Sequence, residues 1–115
     1  MYSEKEELKM QFKVFQMSAK ATKELMIKDM DSFFKITFYG VMDVKTFNEN
    51  YSKVAIIRAR DLDEVWQISN AGREEHITRL DKMASVSVGD VIEDEMGDLW
   101  VVSQDGFDKF FSEAA

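Results

Sequence analysis

The sequence predicts an α+β domain: an antiparallel sheet of about four strands with two helices packed on one face. Three observations predict it. Residues 11–17 alternate apolar and polar side chains as a strand does, residues 61–70 carry a capped helical period, and residues 90–104 form two extended runs around a glycine turn. With 115 residues, 45% of them hydrophobic and 12% aromatic, the chain has material for one core and a single domain over 1–115, residues 1–9 being a flexible polar lead-in.

Gln11-Phe-Lys-Val-Phe-Gln-Met17 places Phe12 and Val14 on one side of a strand and Lys13 and Phe15 on the other. Ser18 and Thr22 are acceptable N-caps for an amphipathic helix over about 22–35, with Leu25, Met26, Met30, Phe33 and Phe34 as its apolar stripe, read as core packing. Residues 37–42 suit a strand or a buried loop, and Asp43 can cap a short helical turn. Residues 52–59 are β-branched and apolar, fit for an inner strand.

Asp61 and Glu64 have the spacing of a capping box, and Asn70-Ala-Gly72 supplies a left-handed stop, so a helix spans 61–70. Leu62, Val65, Trp66 and Ser69 share its inner face, with Ile68 beside them. Residues 73–82 are charged and form a loop or short edge strand. The runs 90–95 and 98–104 make a hairpin whose turn includes Gly97. Trp66, Ile56, Val14, Phe33, Val91 and Trp100 are expected to share the core.

Charge is unevenly distributed. Met1–Met83 holds 14 acidic and 14 basic residues, while Ala84–Ala115 sets 8 acidic residues against Lys109, which is the whole net charge of −7. Phosphate backbones repel such a surface, so no direct nucleic-acid partner is expected. Cysteine is absent, which removes disulfides, thiolate nucleophiles and cysteine-based metal sites. The charged start and the lack of a long apolar run predict no membrane association and a cytoplasmic protein.

The chemistry-bearing residues are few. His76 is the one histidine and stands among Arg73, Glu74, Glu75 and Arg79, without the second imidazole or shaped surroundings that catalysis needs. Asp90, Glu93, Asp94, Glu95 and Asp98 form a dense carboxylate group. Set on a calcium-binding loop with Gly97 sixth, they leave Ile92 and Met96 at ligand positions, and strand alternation points the five to different sides. No phosphate-cradling glycine motif occurs. No catalytic residue, cofactor or metal is therefore assigned.

Ser85-Val-Ser-Val-Gly-Asp-Val-Ile, then Leu99-Trp-Val-Val-Ser, then Asp105-Gly-Phe107 resembles the C-terminal signature of small bacteriophage and mobile-element proteins, including the YodL-like group. The upstream Val54-Ala-Ile-Ile-Arg-Ala and the helix ending in Asn70 look like further shared elements, so the resemblance covers about 51–110. It implies a source and a shared domain, and it carries over no reaction. Within it Asn70, Ser85, Ser87, Gly89, Asp90, Gly106 and Phe107 are read as structural: glycines for bends, serines to bond free backbone groups, Phe107 as an anchor.

The functional expectation is a non-enzymatic phage or mobile-element accessory protein that binds a host or phage protein, in the host cytoplasm. Glu93, Asp94, Glu95 and Asp98 are the candidate interaction residues, aimed at a basic surface such as a nucleic-acid groove or serving only to keep the hairpin soluble. Two alternatives are a metal-dependent hydrolase or nuclease built on Asp90, Asp94 and Asp98, and a structural homo-oligomer joined through the hairpin's edge strand.

Overall fold

The computed structural model describes residues 9–113, so the predicted lead-in lies outside the described residues except for Lys9. Among these residues the chain forms six strands, β1 (Met10–Met17), β2 (Tyr51–Ala59), β3 (Ile77–Arg79), β4 (Val91–Glu93), β5 (Leu99–Ser103) and β6 (Gly106–Phe111). The four helices are α1 (Ala19–Lys28), α2 (Met30–Tyr39), α3 (Val44–Asn50) and α4 (Leu62–Ala71). All strands join one antiparallel sheet in the order β3-β2-β1-β4-β5-β6. The α+β class and the antiparallel sheet are as expected; the strand and helix numbers are larger.

The helices do not share one face. On one side Phe12 and Val14 of β1, Ala55 and Ile57 of β2, Ile92 of β4 and Val102 of β5 pack against Val65 and Ile68 of α4. On the other, Phe15, Val91, Leu99 and Phe110 receive Phe47 of α3, the Phe15 and Phe47 rings meeting edge to face at 5.1 Å. Alternation along each strand sends successive apolar residues to the two layers, and each fully buried one stabilises the fold by roughly 1.5–3 kcal/mol. The β1–β2 register shifts between Val14 and Phe15, and the extra residue lets Val54 and Ala55 both turn inward.

The predicted helix over 22–35 is two helices. Asp29 breaks the period because it ends α1 and starts α2: its backbone N–H donates to the Leu25 carbonyl at 2.7 Å, and its carboxylate accepts the Ser32 backbone N–H at 3.1 Å. Ser18 caps α1 by accepting the Ala21 N–H at 3.0 Å. Leu25 and Ile36 point inward, and Ile36 lines a cleft with Met17 at the end of β1 and Tyr51 at the start of β2. The ambiguous stretch 37–42 finishes α2 at Gly40, whose φ is +67°, and Asp43 caps α3 as expected.

On α4 Asp61 accepts the Glu64 N–H at 2.8 Å, while Glu64 reaches the N–H of Arg60, one residue beyond the expected box. Val65, Ile68 and Ser69 face inward; Trp66 is turned out and is 45% exposed, which corrects its assignment to the core. Val14 and Val91 are fully buried, and Ile56, Phe33 and Trp100 are only partly so.

Residues 80–90 are a strap rather than a strand. From β3 at one edge they cross the α4 side of the sheet to β4, bonding Val54 O on the way. The hairpin strands are correspondingly short, and the hairpin has no free edge: β4 bonds to β1, and β5 bonds to β6. Neither hairpin strand therefore offers the unpaired edge that the expected oligomer would use. β6 was not expected, since Gly106 was read only as a bend.

Candidate functional site

Three places gather the residues singled out above. The first is the buckle of the strap. The Asp90 carboxylate accepts the Ser87 backbone N–H and the Gln16 side-chain amide, both at 3.0 Å. Gln16, itself buried, also bonds both backbone groups of Ala84. Ser69 Oγ accepts the Val86 N–H at 2.8 Å, Asn70 donates to the Val86 carbonyl, and Tyr51 donates to the Gly89 carbonyl. Phe107 packs on the adjoining core. Asn70, Ser87, Gly89, Asp90 and Phe107 thus surround one crossing of the chain, with Ser85 exposed on the strap and Gly106 opening β6.

Burial pushes the Asp90 carboxyl up to about 6 against the two hydrogen bonds that oppose it. Burial also raises the Tyr51 hydroxyl, with the Asp90 charge adding to the effect. A cleft of about 200 Å3 beside them is lined by Phe33, Ile36 and Thr37 of α2. These polar groups are spent on one another, and the arrangement acts as a clasp.

The second place is the acidic hairpin. Asp94 accepts the Met96 and Asp98 N–H groups at 2.9 and 3.1 Å and the Trp100 Nε1–H at 2.9 Å. Glu95 accepts the Gln11 N–H at 2.7 Å, Glu93 lies 3.8 Å from Lys13 Nζ, and Asp98 lies 3.2 Å from Lys109 Nζ. The Lys109 hydrogen bond holds the Asp98 carboxyl below its ordinary range. Each of the four candidate carboxylates therefore has a partner within the fold. Among the described residues no three His, Cys, Asp or Glu side chains converge as a metal ion would require, Asp90 being held at the buckle and Asp94 and Asp98 at the turn. His76 is buried, with Lys9 Nζ 3.0 Å from Nδ1 and Arg73 3.2 Å from Nε2.

The third place is the outer face of α2, where Met30 and Phe34, expected in the core, are not buried. Met30, Phe34 and Phe38, spaced i, i+4, i+8 on α2, are 45%, 47% and 53% exposed. Ile27, Tyr39 and Val41 extend the apolar surface. The rings of Phe34 and Phe38 stack at 5.3 Å, so the stripe is already ordered. Ile36, on the opposite side of α2, carries the burial, and Gln104 fixes the end of the helix by donating to the Phe38 carbonyl. The signal was in the sequence: α2 carries more apolar residues than one inward face can use.

Comparisons with protein-family models, curated proteins and solved structures found no match to this chain. Among the described residues no helix is long and apolar enough to cross a membrane.

Proposed function

We propose that the protein is a non-enzymatic accessory protein of a phage or mobile element that works by docking another polypeptide, and that it docks through the outer face of α1 and α2. The observation that carries this reading is the exposed Met30-Phe34-Phe38 stripe. Contiguous apolar surface of this kind is uncommon on proteins that act alone, and it gains free energy when a partner removes it from water. The resemblance of residues 51–110 to small mobile-element proteins supports the accessory role. The acidic hairpin is a weaker docking candidate, because its carboxylates already serve the turn, Gln11, Lys13 and Lys109.

A photo-crosslinking phenylalanine analogue placed at position 38, with a second version at position 95, tests the reading in the cells that express the protein. Polypeptide adducts are expected from position 38. Adducts from position 95 alone would move the surface to the hairpin and defeat the reading.

A further inference from the structure

The α2 stripe has a symmetry that a docking surface for an unrelated chain would not need. Met30 and Phe38 lie four residues to either side of Phe34, on the same side of the helix. Reversing the helix about Phe34 therefore returns the same pattern. Two such helices laid antiparallel set Phe34 against Phe34 and Met30 against Phe38, twice over.

The charges follow the same rule. Asp31 and Lys35 lie beside the stripe on one flank, 3.0 Å apart, with side chains 79% and 58% exposed. In an antiparallel helix pair each flank faces its own counterpart running the other way, which brings Asp31 within two residues' rise, about 3 Å along the axis, of Lys35 on the other copy. In a parallel two-fold pair the flank carrying Asp31 and Lys35 would instead face the opposite flank, which carries the half-buried Phe33 and Thr37, so neither charge would meet its complement. Within one chain this exposed pair contributes little, so its placement matters most for what approaches the stripe.

We propose that the occupant of this face is a second copy of the chain, related by a two-fold axis through Phe34, with the two α2 helices antiparallel. The proposal rests on the docking reading above and names its partner. A closed two-fold contact uses the same patch on both copies, as this pattern requires. One helix face per copy falls at the low end of specific interfaces, so the dimer forms reversibly and depends on concentration.

Sedimentation velocity across about 5 to 500 µM tests it, a span suited to a small reversible interface. The wild-type chain is expected to pass from monomer to dimer. Phe34→Glu, which sets two carboxylates across the axis, should stay monomeric with unchanged circular dichroism, since the side chain it replaces is half exposed. Asp31→Lys should weaken the dimer by roughly tenfold, because a cation then meets Lys35 of the other copy. The exchange Asp31→Lys with Lys35→Asp should restore it. Wild-type protein that remains monomeric throughout overturns the proposal, as does a dimer that survives Phe34→Glu. In either case adducts from position 38 to a different polypeptide would leave the docking reading standing, and their absence would remove both.

Discussion

The Gln16 side-chain amide donates to the Asp90 carboxylate at 3.0 Å, joining the end of β1 to the last residue of the strap. This contact holds an ionised carboxyl where burial disfavours charge, and its folded pKa stands at about 6 against an ordinary 3.8. A carboxyl raised in this way binds more protons folded than unfolded between those values. Its ionisation therefore weakens the fold above pH 6, and stability rises as pH falls from 7 toward 4.5.

The expected gain over that range is roughly 2–3 kcal/mol for a shift of this size. Below it the opposite limb begins, because Asp29, Glu64, Glu74, Glu75 and Asp98 are held below their ordinary values by hydrogen bonds to Ser32, Arg60, Arg79, their own backbone and Lys109 respectively. Urea midpoints should peak near pH 5 on this account, an estimate set by the two limbs. Asp90→Asn, at least as stable as wild type at pH 7, should lose the slope between pH 5 and 7. An unchanged slope in that variant would show that Asp90 is not the titrating group.

The hairpin carboxylates differ in what they hold, so their removal should not be equivalent. Asp94→Ala strips the acceptor from two turn amides and from the Trp100 indole, and should cost about 1–3 kcal/mol. Glu95→Gln keeps an oxygen for Gln11 and should change stability by less than about 0.5 kcal/mol. Urea unfolding followed by Trp100 emission, in a Trp66→Phe background, reads both. Equal and negligible effects would mean the carboxylates serve solubility and not the turn.

The elements readable in the sequence are those whose local signals agree with their tertiary surroundings. Asp61 at one end and Gly72 at the other bound α4 within one residue of expectation, and the alternation of Phe12, Val14 and Phe15 fixed β1. Periodicity could not decide which of two apolar faces turns inward. Trp66 stands four residues after Leu62 and three before Ser69, yet only Val65, Ile68 and Ser69 fit against the sheet. The same ambiguity hid the outer stripe of α2, where Ile36 had already filled the inner side.

The break at Asp29 could not be read from the spacing, because capping depends on its backbone leaving the helical region, at φ −153° and ψ 78°. β6 was missed for another reason. It is an edge strand with one bonded neighbour, and Asp108 and Lys109 interrupt its apolar alternation. The Asp90 clasp joins residues 74 positions apart, a pairing that depends on where the strap crosses the sheet.

Gly40 and Gly72 end α2 and α4 with nearly the same backbone, at φ +67° and +69°, but in different surroundings. A Cβ at Gly72 would meet nothing within 4 Å, whereas one at Gly40 would lie 2.5 Å from the Val102 carbonyl oxygen and 2.6 Å from Ser103 Cα. Gly72→Ala should therefore cost only the left-handed conformation, about 1 kcal/mol. Gly40→Ala adds a backbone collision with β5 that neither side can relieve by a rotamer change, and should cost at least about 3 kcal/mol. The collision would also push the end of α2 away from Ser103 and break the Gln104 bond to Phe38, so the stripe should lose its order together with the stability. Denaturant titration of the two variants measures the difference. Equal losses would show that α2 does not press on β5 and that the stripe is not held in place from behind.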